Sequence, residues 1–180
     1  MKLRQLLLES RDTIVSEWTE AIFRTYPIDT VGFMRRQHDQ FANPIGYRTR
    51  LAAAAMVDGL LGVETAVKGE DGQAFGLNEA LNDLIRIRAV QDFTPAGAAG
   101  FFVLLKKIVR KLAENALTDV AVVKDLLAFE DKLDALTLLA LNIYMERHKQ
   151  IFEMRVKEVK NSQAWLLKRA KMICEPTAED

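Results

Sequence analysis

Cysteine is almost missing from this chain: Cys174 stands alone. That excludes an intramolecular disulfide framework and any zinc cluster built on thiolates. Histidine is nearly as scarce, with His38 and His148 only, so there is little material for a metal site. Neither sign of charge dominates, since Lys plus Arg and Asp plus Glu each count 25. A globally basic nucleic-acid binder is thereby excluded. Long apolar runs are also lacking. The longest uncharged stretches, Phe93 to Leu105 and Ala135 to Met145, fall short of the ~18 residues a bilayer span needs. The start, with Leu6, Leu7 and Leu8 after Lys2 and Arg4, stops at Glu9, too early for a signal peptide. These absences point to a cytoplasmic globular protein.

What is present is helical period. Leu3, Leu7, Ile14, Trp18 and Ile22 recur at helical steps up to Tyr26-Pro27, which ends the segment. A short helix is expected from Asp29 to about Gln40. Asn43-Pro44 reads as a cap with a first-turn proline, opening an Ala- and Leu-rich helix through Val67. Gly69, Gly72 and Gly76 mark a loop. A fourth helix spans about Asn78 to Asp92. Thr94-Pro95 then caps a fifth that reaches about Ala116. Gly59-x-x-Gly62 and Gly97-x-x-Gly100 read as small residues that let helices approach closely. No strand alternation and no fixed repeat occur. The fold class is all-α, with about six helices.

The last segment starts at a cap, Thr118 or Asp119, and has neither Pro nor Gly from Val120 to Met172. As one helix it would be roughly 80 Å long. Phe152, Val156, Val159, Gln163, Leu166, Ala170 and Ile173 alternate four and three residues apart, a heptad seam. From Arg147 to Lys171 there are eight basic residues against Glu153 and Glu158, a net of +6, which leaves −6 for the rest of the neutral chain. Such a helix either packs back on its own domain or forms a dimeric coiled-coil stalk. The length of the seam favours the stalk. A nucleic-acid or membrane partner is not expected, because outside the seam Trp165 alone supplies aromatic character there.

Reactive constellations are missing. No Glu-x-x-His pair, Gly-x-Ser-x-Gly elbow or phosphate loop occurs. Ser10, Ser16 and Ser162 lie in helical patterns, and Cys174 reads as a surface thiol. No histidine stands on the third or fourth helix to ligate haem. The expectation is no enzyme, no metal and no cofactor. One polar feature remains: Leu81, Leu84, Arg88 and Gln91 share a face of the fourth helix, so its apolar stripe ends in an arginine and a glutamine. A buried arginine needs a partner. Arg88 either locks the Gln91–Thr94 turn or, with Gln91, lines a pocket for a small anionic or apolar ligand.

Tyr26-Pro27, Phe41-Ala-Asn-Pro-Ile-Gly46 and above all Leu84-Ile-Arg-Ile-Arg-Ala-Val-Gln-Asp-Phe-Thr-Pro95 carry a resemblance. Over roughly residues 3 to 150 the chain resembles the N-terminal domain of RsbRD-type RsbT co-antagonists, sensory modules of stressosome signalling. The resemblance implies a globin-like fold without haem, a homodimer, a long linker helix matching the seam, and a partner protein in a signalling system. In that family the linker leads to a STAS domain bearing the phosphorylated residues. This chain ends at Asp180, so no phosphoacceptor carries over and a stand-alone regulatory role is expected. The expected organisation is a globin-like helical domain over 1–148, an extended basic coiled-coil helix over 149–174 and a disordered tail over 175–180.

Overall fold

A computed structural model describes residues 3–36, 39–63, 67–68 and 74–170. Among these the chain is all-α. Eight α-helices run α1 (Leu3–Glu9), α2 (Arg11–Phe23), α3 (Ile28–Arg36), α4 (Pro44–Leu61), α5 (Leu77–Val90), α6 (Pro95–Ala99), α7 (Phe101–Ala113) and α8 (Val120–Arg169). A single 3₁₀ turn, Glu114–Ala116, follows α7. Val67–Lys68 and Ala74–Phe75 pair antiparallel, with Val67 opposite Phe75. His38, Gly69, Gly72, Ile173, Cys174 and the 175–180 tail lie outside the described residues.

The count exceeds the six expected because two helices are broken. The first divides at Ser10, which has φ −97° and ψ 9°. The following Arg11 forks onto the buried Asp58 of α4 at 2.6 and 2.8 Å. The fifth divides at Gly100. A Cβ there would stand 2.6 Å from the Ala96 carbonyl, so Gly100 serves the break and not a contact between neighbouring helices. Gly59 does permit close approach, since a Cβ would lie 2.8 Å from that of Leu77.

The caps match the sequence signals. Asn43 accepts from the Gly46 N–H at 2.9 Å with Pro44 behind it, and Asp119 accepts from Ala121 at 2.8 Å. At its far end α4 stops at Leu61 and not near Val67. Gly62 turns left-handed at φ 66°, and the Val63 N–H returns to the Asp58 carbonyl. Only glycine adopts that backbone without strain.

The core gathers faces of α2, α4, α5, α7 and α8. Trp18 is fully buried, and its indole N–H donates to the Phe101 carbonyl at 2.8 Å while its ring packs against both Phe101 and Phe102. A smaller cluster of Phe23, Tyr26, Val31 and Met34 sits beside it. The α7–α8 pairing is antiparallel, because Lys106 meets Asp134 at 2.6 Å and Arg110 forks onto Glu130 one turn away.

Helix α8 is one helix of 50 residues, about 75 Å at 1.5 Å per residue. Its first half buries Val122, Leu126, Leu133, Ala140 and Tyr144 against the body. Beyond Ile151 only Val156 is even half-buried, and residues 157–170 are all exposed.

Candidate functional site: the Arg88 turn and the projecting helix

The chain reversal between α5 and α6 is built from Arg88 to Pro95. Helix α5 ends at Val90, Gln91 caps it, and Asp92 turns left-handed at φ 54°. Asp tolerates that region better than most L residues. The Phe93 N–H then returns to the Arg88 carbonyl at 3.3 Å, closing a Schellman-type end. Thr94 restarts the chain by accepting from the Gly97 N–H at 3.1 Å, and Pro95 occupies the first turn.

The Arg88 side chain fills the inside of this reversal and has no accessible surface. It donates to the Gly97 carbonyl at 2.6 Å and to the Thr25 hydroxyl at 2.8 Å. The Thr25 hydroxyl in turn donates a hydrogen bond to the Ile22 carbonyl at 2.6 Å. The rings of Phe93, Phe101 and Tyr26 surround the guanidinium at 4.7, 5.2 and 5.5 Å. Their π faces attract a cation. Burial without a carboxylate partner among the described residues lowers the Arg88 pKa, and burial raises that of Tyr26. Arg88 Nε and the Tyr26 hydroxyl have no other hydrogen-bond partner among the described residues, and the charge of Arg88 and the hydroxyl of Tyr26 interact with each other.

This constellation ties the end of α2 to α5, α6 and α7. It reaches α8 as well, because the Tyr144 hydroxyl donates to the Phe93 carbonyl. Tyr144 in turn stacks on His148, with ring centroids 5.7 Å apart. Of the two residues expected on one face, Arg88 is fully buried, whereas Gln91 is exposed at the helix end. Thr25, Phe93 and Tyr144 were not singled out in the sequence. The one signal that bears on them is the Arg88–Pro95 string, which holds Phe93 and the turn.

The second feature is the outer face of α8. Phe152, Val159 and Leu166 are 60, 55 and 55% exposed, with Val156 half-buried and Gln163 and Ala170 exposed on the same face. Continued backwards at seven-residue steps, the line meets Met145 and Leu138, 56 and 64% exposed. The apolar line therefore begins alongside the body, two heptads before the seam read from the sequence. Arg155 reaches back to Asp92 at 3.7 Å, so the base of the projecting half touches the same turn that Arg88 holds.

Among the described residues no cluster of His, Cys, Asp and Glu could hold a metal ion, and no helix is long and apolar enough to cross a membrane. The family model described as the RsbT co-antagonist protein rsbRD N-terminal domain matches residues 12–159. That span takes in both the Arg88 turn and the base of the projecting helix. Comparison with curated proteins and with solved structures finds no match.

Proposed function

The chain belongs to the family of RsbT co-antagonist rsbRD N-terminal domains, and from that premise we propose that it is a non-enzymatic regulatory module. In this reading residues 1–148 form a haem-free, globin-like body, and 149–174 form a basic stalk. Two copies pair along the stalk, which is then presented to a partner protein of a cytoplasmic signalling system. The observation that carries the proposal is the seam: Phe152, Val159 and Leu166 are more than half exposed at strict heptad spacing. Apolar surface removed from water contributes about 25 cal/mol per Å², and nothing in the described residues covers this line. Knobs-into-holes packing against a second helix of the same pattern would.

The test is the double variant Val159→Lys, Leu166→Lys, examined by analytical ultracentrifugation. Both side chains are exposed, so thermal unfolding of the body should be unchanged while the dimer dissociates. A variant as dimeric as the parent would remove the stalk from the proposal.

A second reading is favoured by one observation, the Arg88 guanidinium buried among aromatic rings with no carboxylate to pair it among the described residues. There Arg88, with Gln91 at the rim, holds a small ligand. A compound at 100 times its dissociation constant would add about 2.7 kcal/mol of stability, so thermal unfolding against a metabolite panel should expose it. Absence of any shift would sink this reading and leave the first intact.

A further inference from the structure

We propose that the cleft between α1, the end of α4 and α8 binds an amphipathic carboxylate, a short aliphatic chain with one acidic end. The cleft measures about 490 Å³, within the range of small-ligand sites. Its floor is apolar, formed by Leu3, Leu7 and Leu61, all nearly inaccessible, and Phe129 of α8 stands against them. Behind Leu7, Leu61 and Phe129 a further void of about 10 Å³ runs inward towards Ile14 and Leu105. That void is lined by apolar side chains alone, and apolar voids stay dry. An alkyl chain lying in the cleft covers the apolar side chains that line it.

The mouth has the opposite character. Arg4 is held in place by its own donation to the carbonyls of Leu61 at 3.0 Å and Gly62 at 3.4 Å. Those are neutral acceptors, so its charge is not cancelled. Lys132 lines the same rim and has no ion pair among the described residues. Among the described residues the one acid in the lining, Asp125, precedes Lys132 by two helical turns, ~10 Å along α8. Two cations against one carboxylate leave the rim positive. An amine would be repelled there, and a simple anion would leave the apolar floor wet. A carboxylate with an alkyl tail satisfies both ends. The lining of this cleft and the Arg88 cage share no residue.

The probes are octanoate, octylamine and acetate, titrated into the full chain by calorimetry and followed by thermal unfolding. Octanoate should bind and raise the unfolding temperature, while octylamine and acetate should do neither. Lys132→Gln should weaken octanoate about three- to fivefold, the span of a partly exposed ion pair. Ala128→Trp places a large ring from an exposed α8 position into the cleft and should abolish binding. Its unfolding without ligand reports that the fold is kept. Octanoate binding that survives Ala128→Trp, equal binding of octylamine, or no binding at all would each overturn the proposal. None of these results bears on the stalk, whose test is subunit number.

Discussion

Arg88 makes two directional hydrogen bonds and three ring contacts from one side chain. Lysine has the charge but not the planar fork. Arg88→Lys should therefore lose one of the bonds to Gly97 and Thr25 and leave an acceptor buried. The expected cost is about 2–4 kcal/mol by urea denaturation; a loss below ~1 kcal/mol would show that the cage tolerates any cation. Glu130 offers a pH test. The hydrogen bond from Arg110 holds its carboxyl below the usual range, with the charges of Arg110 and Lys106 adding to the effect. A depressed carboxylate stabilises the fold above its unfolded value, about 4.3, and the contribution fades as pH falls through the folded value. The stability gap between the parent and Glu130→Gln should stay constant above about pH 5 and shrink below about pH 4. Denaturation curves across that window decide it. At this scale the sequence was half legible. Periodicity alone placed Arg88 on the buried face. Its partners were not readable, because Thr25 lies 63 positions away and Tyr144 reaches the turn from 51; no spacing rule spans such gaps.

Elements were read where a local signal marks them. The caps at Asn43, Thr94 and Asp119 are side-chain acceptors next to the N–H groups they satisfy, so composition and position suffice. Breaks inside a helical period were missed. Ser10 and Gly100 leave the apolar stripe intact, and only backbone geometry separates α1 from α2 and α6 from α7. Gly100→Ala tests the second break. Its new methyl must displace the Ala96 carbonyl or force α6 and α7 out of their bend. A loss of about 1–3 kcal/mol is expected in thermal unfolding, the usual cost of overpacking. An unchanged midpoint would mean that the bend straightens freely. The charge asymmetry was legible in full, since counting needs no structure. How far the apolar line extends was not, because Leu138 and Met145 sit in an apolar stretch with the buried Ala140 and Tyr144, and exposure there depends on what packs against α8.

The molecule as a whole is a body with one helix leaving it, and the two halves of α8 differ in what stabilises them. Residues up to Ile151 run alongside the body, whereas those from 157 onward are all exposed. Isolated helices of this length are marginal in water. Hydrogen exchange should therefore find slow amides around Leu133 and Ala140 and fast ones from 157 to 169 in dilute protein. Raising the concentration should slow the second group if the seam pairs; protection that ignores concentration would tell against pairing. A helix of 50 residues without proline or glycine also lacks a joint. Any shift of the body against α8, at the Phe93–Tyr144 bond or at Lys132, is carried along a stiff lever. From Ile151 to Arg169 the arm is ~27 Å, so a tilt of ~10° at the base swings the tip by roughly 5 Å. Apolar side chains touch only within ≈ 4.5 Å. A rotation too small to disturb the core thus makes or breaks a whole contact at the far end.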